Sequence, residues 1–493
     1  MEKLKITVKT LYNFEDILQD ELSELGYQKT EKLNRAVQLT GNWEDVYRLN
    51  FRCRLAISVL VEVASFHIRD EKDLYNQAKK IAWTEFFDLE KTFAVKGAVF
   101  STLFTHTQYP FLLVKDAIAD VFREKYDARP NVNIKAPQVM FDVYVREKAV
   151  TISLNTSGIP LFQRGYRQEV GEAPMNEVLA AGLLRLAGWD RKSTFVDPMC
   201  GSGTIAIEAA LWAADIPAMI ERQHYAFKNF RSFDAEAWER VQGEVNRRPK
   251  DLGFEILAFD ADAGMVQKAK RNSRMAPIGN MVTFEVKNLF DSSATTEEGL
   301  LICNPPYGER MGESEEITDF YKKLGDTFKN AYTGYDCWVV SSNVDAIKNI
   351  GLKPNEKYKV YNGSLECSFR KFKVFEGSIK TASQADTPDS DRSSSTLSES
   401  AYEKNKEAET VDRAEKIHKK KISEKVDELR SGTSKYKPVH EPDTKEVKHP
   451  AEREKKPSDN TRKESQDEEK EKNTESLSLK EKIAKMKKYR SRE

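Results

Sequence analysis

The sequence predicts an α/β protein built around a mainly parallel sheet, and three short stretches carry this prediction. Each stretch is an apolar run that reads as a buried strand and ends in small or polar residues. The strands are expected at 194–197, 255–259 and 300–303, and they are followed by a glycine turn, by Asp260 and by Asn304. Because parallel strands direct their carboxyl ends to one edge of a sheet, we expect these ends to form a ligand site.

The glycine turn lies between the first strand and a predicted helix. Gly201 and Gly203 leave no side chain where a ligand approaches the backbone, and Thr204 can serve near the helix N-terminus. A pair of glycines alone is weak evidence, since such turns are common in α/β units. The other two strand ends are what make it specific.

Asp260 suggests a nucleotide ligand. A carboxylate at the end of the second strand can accept hydrogen bonds from both hydroxyls of a ribose. In dinucleotide-binding folds the acidic residue follows the glycines by about 20 residues. Here the interval is much longer and holds an insertion around 222–248, which disfavours NAD.

Together the three stretches resemble the class I S-adenosylmethionine-dependent methyltransferases. Asn304-Pro305-Pro306-Tyr307 is similar to the motif of those enzymes that methylate exocyclic amines of bases. The resemblance implies S-adenosylmethionine as cofactor and these four residues as the catalytic turn. It also implies the following cofactor contacts: Asp197, Cys200, Gly201, Gly203, Thr204, Asp260, Asp262, Asn288 and Asn304.

The residue types of the catalytic turn fit this chemistry. An exocyclic amine is a poor nucleophile because its lone pair is delocalised into the ring. The Asn304 side-chain oxygen and the Pro305 carbonyl can accept its hydrogens, which favours a pyramidal nitrogen, while Pro306 stiffens the turn. Tyr307 can stack on the base. Catalysis then rests on orientation, without a strong general base.

The part of the chain before residue 168 is expected to bind RNA. Alternating patterns predict strands at 4–10, 33–39, 56–66, 91–104, 138–146 and 149–155. Helices are expected at 13–25 and 111–126, and Asn13 is expected to cap the first of them. Residues 45–157 resemble a THUMP domain, an RNA-binding module. Basic residues near aromatic ones are the predicted RNA contacts: Arg52, Arg54, Lys115, Arg129, Arg164 and Arg167.

Four segments follow from these patterns. Residues 1–44 form an α+β, ferredoxin-like unit, 45–157 the THUMP-like domain, 158–377 the Rossmann-like methyltransferase domain and 378–493 a disordered tail, which is rich in charge and poor in aromatic residues. Strands at 337–342, 357–361 and 367–374 are expected to complete the second sheet, the last two as an antiparallel pair.

Composition excludes several classes of protein. Lysine plus arginine equals aspartate plus glutamate at 79 each, so global charge gives no argument for nucleic acid. The five cysteines have no C-x-x-C spacing, which argues against a zinc site, and no metal is expected. The start of the chain does not read as a signal peptide, and no apolar run could span a membrane. We expect a cytoplasmic protein.

The whole arrangement is most similar to bacterial guanine-N2 methyltransferases that act on 23S ribosomal RNA. A transfer RNA guanine is the second substrate considered, because the motif does not distinguish the two RNAs. An adenine-N6 DNA methyltransferase would share the catalytic turn but would need a DNA-recognition domain. A non-catalytic RNA-binding protein would have lost the cofactor motifs, which are present here.

Overall fold

The strands gather into two sheets of seven strands each, in a computed structural model that describes residues 3–169, 175–306 and 314–375. The first sheet has the order β2-β3-β1-β4-β7-β6-β5 and is antiparallel except for the parallel pair β5–β6. Its strands are β1 (Leu4–Lys9), β2 (Thr30–Leu33), β3 (Ala36–Gly41), β4 (Ser58–His67), β5 (Phe93–Phe100), β6 (Val139–Arg146) and β7 (Ala149–Asn155).

Three of the four described α-helices of this half begin at a capping side chain or a proline, and the first one does not. They are α1 (Glu15–Glu24), α2 (Trp43–Arg52), α3 (Glu71–Lys79) and α4 (Tyr109–Tyr126). Asn42 and Asp45 form a reciprocal capping box at the start of α2. The predicted cap Asn13 is wrong: it adopts a left-handed φ of 65°, its amide donates to the Lys359 carbonyl, and α1 begins at Glu15.

The second sheet has the order β10-β9-β8-β11-β12-β14-β13. The first five are parallel and follow the doubly wound arrangement, with an antiparallel pair added at one edge. The strands are β8 (Thr194–Asp197), β9 (Ile256–Asp260), β10 (Thr283–Val286), β11 (Gly299–Cys303), β12 (Tyr335–Ser341), β13 (Glu356–Asn362) and β14 (Leu365–Lys373). The predicted Rossmann-like fold class is confirmed.

The helices around the second sheet are α5 (Glu177–Leu186), α6 (Thr204–Ala213), α7 (Ala235–Gly243), α8 (Ala263–Met275) and α9 (Ser314–Ala331). Helix α7 was not predicted, because the sequence indicated only an insertion there. Its Trp238 packs edge-on against Phe51 of α2, with ring centroids 5.4 Å apart. The insertion therefore joins the two halves through an aromatic core.

The ordering of β1 and β4 shows how the N-terminal segments combine. Strand β1 pairs with both β3 and β4, so the sheet runs without a break across the predicted boundary after residue 44. The predicted boundaries after 44, 157 and 377 stay predictions. The predicted tail, 378–493, lies outside the described residues.

Candidate active site

Three strand ends meet at one edge of the second sheet. Asp197 ends β8 and Asp260 ends the adjacent strand β9, while Asn304 follows Cys303 at the end of β11, on the other side of β8. Along the chain the strands run outward from β8 to β9 and β10, and then cross back to β11 and β12 on the other side of β8. A doubly wound sheet binds its ligand at this point of reversal.

The glycine turn is held by backbone hydrogen bonds in a shape that needs its glycines. Gly201 and Gly203 have φ angles of 54° and 85°, in the left-handed region. A Cβ at Gly203 would lie 3.0 Å from the Cβ of Ala269, so any side chain there would press on α8. The Cys200 N–H donates to the Phe259 carbonyl at 3.0 Å and ties the turn to β9.

Asp260 links the two strand ends. Its Oδ2 accepts the backbone N–H of Gly201 at 3.0 Å, and its Oδ1 accepts that of Asp262 at 3.0 Å. The Asp262 side chain instead caps α8, accepting from the amides of Gly264 and Met265 at 2.7 and 3.3 Å. Of the two carboxylates, Asp260 is therefore the one built into the turn.

Asp197 is a fully buried carboxyl group, and neither of its oxygens has a partner with hydrogen-bond geometry among the described residues. Burial raises its pKa to about 8, the nearby Asp260 charge adds to the rise, and the amides of Ala206 and Met199 oppose it. A buried acceptor without a donor is costly. It suits a cationic ligand that brings its own N–H groups.

The catalytic turn begins at Asn304, which is half-buried between buried Cys303 and buried Pro305. Pro306 is exposed. Burial raises the pKa of the Cys303 thiol, and the charges of Asp197 and Asp260 add to the rise. Strand β11, which ends at Cys303, is paired directly with β8. Tyr307 lies outside the described residues.

Two other predicted cofactor contacts have structural partners. Thr204 is buried at the start of α6, and its Oγ1 accepts a hydrogen bond from Arg167 at 3.0 Å. Asn288 is exposed after β10 and caps a short 3-10 helix by accepting from the Phe290 amide at 3.0 Å. Contact of either with a cofactor stays a prediction.

Two of the predicted RNA contacts are wrong, because their guanidinium groups are buried. Arg54 is 5% exposed and donates to the carbonyls of Leu211 and Ile216. Arg164 is 0% exposed, and its Nε lies 3.2 Å from the Glu208 carboxylate. Both hold the two halves of the chain together, so neither can reach an RNA phosphate in this structure.

Arg167 is also committed to an internal role. It donates to the Thr204 hydroxyl and to the Met175 carbonyl, and its Nε lies 3.2 Å from the Glu177 carboxylate. Burial raises the pKa of Glu177 to about 7, and the Arg167 charge opposes this rise. Arg167 thus braces the starts of α5 and α6, and its contact with RNA stays a prediction.

The remaining predicted RNA contacts lie nearer the surface. Arg129 is exposed, Arg52 is half-buried at the end of α2, and Lys115 is half-buried and ion-paired with Asp116 at 2.6 Å. These three stay predictions.

Sequence reasoning missed Asn272, which is 1% exposed on α8. Its Oδ1 accepts the amides of Gln168 and Glu169 at 3.0 Å each, and its Nδ2 donates to the carbonyls of Glu169 and Ser202 at 2.9 and 3.0 Å. It therefore joins the segment before α5 to the glycine turn. The available signal was a polar residue on the apolar face of α8.

Three comparisons with protein families cover most of the described chain. Residues 5–60 match the RlmL ferredoxin-like domain, residues 69–155 the THUMP domain, and residues 164–371 the RMKL-like methyltransferase domain. A candidate RNA methyltransferase of Synechocystis sp. is 33% identical over 362 residues, which cover 73% of this chain and 94% of that protein. The chain belongs to the S-adenosylmethionine-dependent RNA methyltransferases that carry a THUMP domain.

Other members of this methyltransferase family are longer. The ribosomal RNA large subunit methyltransferase K/L of Syntrophotalea carbinolica is 34% identical over 374 residues, covering 73% of this chain and 52% of that protein. The chain thus spans about half the length of the K/L relatives that it matches.

A solved family structure supports the cofactor. The methyltransferase candidate SMU.472, crystallised with S-adenosylhomocysteine (SAH), superposes with a TM-score of 0.68 at 26% identity, covering 77% of this chain and 100% of that one. The cofactor of the family is S-adenosylmethionine. The unpartnered Asp197 carboxyl and the side-chain-free turn at Gly201 fit such a group, which carries an ammonium beside a sulfonium.

The described residues form neither a metal centre nor a membrane span. No group of histidine, cysteine, aspartate and glutamate side chains there could hold a metal ion. In the same ranges, no helix is both long and apolar enough to cross a bilayer.

Proposed function

We propose that this chain transfers a methyl group from S-adenosylmethionine to the exocyclic N2 amine of a guanine in 23S ribosomal RNA. The observation that carries the proposal is the placement of Asn304 across β8 from Asp260, at the edge where the sheet binds ligands. The K/L relatives, whose names specify large-subunit ribosomal RNA, support this choice of substrate.

We infer that the glycine turn and the first two strand ends hold the cofactor. Asp197 would receive the ammonium of its amino-acid end, and Gly201 and Gly203 would let that end approach the backbone, with Cys200 and Thr204 at the rim. Asp260 keeps lone pairs for the ribose hydroxyls while it accepts the Gly201 amide. Asn288, after β10, would face the adenine.

The catalytic turn would then orient the target amine. S-adenosylmethionine supplies an electrophilic methyl group on its sulfonium. The Asn304 side-chain oxygen and the Pro305 carbonyl accept the two amine hydrogens and turn the nitrogen lone pair toward the methyl group. The fixed φ of Pro306 keeps the turn rigid, and Tyr307, outside the described residues, is proposed to stack on the base. The work of the site is positioning, which alone can be worth several kcal/mol.

The proposal also covers how the RNA is held. Arg52, Lys115 and Arg129 are the remaining candidates for phosphate contacts, and their placement near the surface supports that role. A contact of this kind weakens with salt, because counterions are released on binding. Transfer RNA remains the second substrate.

The experiment that tests the proposal compares nucleosides from ribosomal and transfer RNA of cells with and without the gene, by mass spectrometry. We expect loss of one N2-methylguanosine from large-subunit RNA, restored by the wild-type gene but not by Asn304→Ala. Loss of N2-methylguanosine from transfer RNA instead would identify transfer RNA as the substrate. Loss of an N6-methyladenosine would overturn the assignment of guanine as the target base. Unchanged RNA modification would favour a protein that binds RNA without methylating it.

Purified protein gives the matched control. Asn304→Ala is expected to bind RNA like the wild type while methyl transfer falls at least about a hundredfold, since it loses an orienting contact at the reacting atom. Unchanged methylation by this variant would overturn the catalytic role of the turn.

A further inference from the structure

One face of the first sheet is open at its β5–β6 edge. Along β6, the side chains of Val139, Phe141, Val143 and Val145 are fully buried, whereas the alternate positions are half-buried or exposed. The buried side packs toward Phe87 and α4, because the Phe87 ring contacts both Phe141 of β6 and Phe122 of α4. The other side of these strands therefore faces solvent, although β5 and β6 are paired in parallel within an otherwise antiparallel sheet.

Two aromatic rings lie side by side on this open face. Phe100 of β5 is 54% exposed and Tyr144 of β6 is 41% exposed, and their centroids are 5.9 Å apart. Beside Tyr144, the neighbouring strands place Ala98 and Thr151, whose small side chains leave the ring uncovered. Folding alone gives no reason to hold two large rings in water.

The same face carries cations near the rings. Lys96 is two residues before Ala98 on β5, and Arg146 lies opposite Phe100 in the register; both are exposed and have no ion pair among the described residues. The acids of the face are engaged, Asp142 with Lys9 at 3.3 Å and Glu62 with Lys5 at 3.0 Å. The turn after β6 adds one acid, Glu147, and one base, Lys148, which cancel. The surface around the rings is therefore positive.

We propose that Phe100 and Tyr144 form a stacking platform for unpaired bases of single-stranded RNA, with Lys96 and Arg146 on the adjoining phosphates. This inference rests on the proposed function, because it assumes an RNA substrate. Sheet-borne aromatic rings with flanking cations are a general means of binding unstacked bases. Bases in an intact duplex keep their faces stacked, so the platform selects a single-stranded stretch of the RNA.

The test uses the full chain and fluorescence anisotropy with labelled RNA, single-stranded or fully paired. Stacking contributes about 1–3 kcal/mol per base. The Phe100→Ala/Tyr144→Ala double variant should therefore bind single strands at least about tenfold more weakly, with duplex binding unchanged. Phe100→Tyr/Tyr144→Phe keeps both rings and should bind like the wild type.

Leu112→Ala is the matched control, because Leu112 is another exposed apolar side chain, 50% accessible, on α4. It should leave RNA binding unchanged. SAH affinity should be unaltered in every variant, which shows that the cofactor site is intact.

The outcomes separate the platform from the function beneath it. If the wild type binds no RNA, the proposed function fails and the platform with it. If the wild type binds and the double alanine variant binds single strands equally well, the platform alone is overturned. An equal loss of affinity for single-stranded and paired RNA in the double alanine variant would also overturn base stacking. A change of oligomeric state without a change in RNA affinity would overturn it too, because the face would then be a protein interface.

Discussion

The backbone N–H of Gly201 donates to the Asp260 carboxylate across 3.0 Å, and this contact joins the glycine turn after β8 to the end of β9. The same carboxylate accepts the Asp262 amide through its other oxygen. One side chain therefore sets the relative position of two loops that are expected to hold the amino-acid end and the ribose of the cofactor. Loss of the Asp260 carboxylate should therefore disturb both loops.

Replacing Asp260 by alanine should weaken SAH binding about 10- to 100-fold. The change removes an ionic acceptor proposed for the ribose and frees the Gly201 amide, and hydrogen bonds to charged groups contribute about 1.5–3 kcal/mol. Isothermal titration with SAH measures the effect.

Asp262→Ala is its matched control, two residues further along the chain. The structure gives Asp262 the role of capping α8, so its loss should cost about 1 kcal/mol of stability. SAH affinity should then change less than about threefold. If Asp262→Ala weakens SAH as strongly as Asp260→Ala, Asp262 contacts the cofactor as the sequence predicts.

The fold was predictable because its signals are local. Buried strands, a glycine turn and Asp260 lie within short stretches, and parallel strands bring their ends together whatever the intervening chain does. Helix α7 was not predicted, because Trp238 and its neighbours form a helix face only against Phe51, almost two hundred residues earlier. Tertiary packing decides such an element.

The roles of the basic residues were harder to predict. An arginine in a polar-looking segment reads as a surface charge, but Arg54 and Arg164 find their acceptors on residues far away in sequence, at Leu211 and Glu208. The sequence shows the charge of a residue and the local hydrophobic periodicity, but it does not show which distant residue will pair with an arginine. Burial of an arginine depends on that partner.

Replacing Asn272 by alanine should reduce SAH affinity although Asn272 is not proposed to touch the cofactor. It leaves the Ser202 carbonyl and the amides of Gln168 and Glu169 without their partner, which loosens the glycine turn. We expect about a tenfold loss of SAH affinity and about 1–3 kcal/mol of stability. Titration and chemical denaturation measure the two.

Asn246→Ala provides the comparison for this variant. Asn246 also donates to backbone carbonyls, at Ala214 and Arg248, but away from the glycine turn. It should lose stability without losing SAH affinity. Equal SAH affinity in Asn272→Ala and the wild type would contradict the bracing role.

Arg164→Met should destabilise the protein by about 3–5 kcal/mol, because it leaves the buried Glu208 carboxylate without its cation. Adding Glu208→Met should recover much of the loss, since a pair of apolar side chains no longer buries an unpaired charge. Urea denaturation of the two variants measures this. If the double variant is as unstable as the single one, the pair's hydrogen bonds to the backbone and Tyr166 matter more than its charges.

The raised pKa of Asp197 makes stability depend on pH in a defined direction. The unfolded carboxyl ionises near pH 4 and the folded one near pH 8, so the folded state binds an extra proton between these values. Its contribution is complete below pH 4 and is lost as pH rises to 8. The side chain introduced by Asp197→Asn cannot ionise. The free energy of unfolding of this variant should therefore rise relative to that of the wild type between pH 4 and pH 8, and thermal denaturation at several pH values should detect this relative rise.

Cofactor binding should show the opposite dependence, because the ammonium of SAH needs the ionised form of Asp197. In the wild type, SAH affinity should rise with pH from 6 to 8 by up to about tenfold per pH unit, as one proton is released on binding. In Asp197→Asn, affinity should be lower at pH 8 and nearly flat over that range. Glu177, whose raised pKa of about 7 also lies in this range, is present in both proteins, so its titration cancels in the comparison. Parallel pH profiles for the two proteins would show that the unpartnered carboxyl of Asp197 does not receive the ammonium.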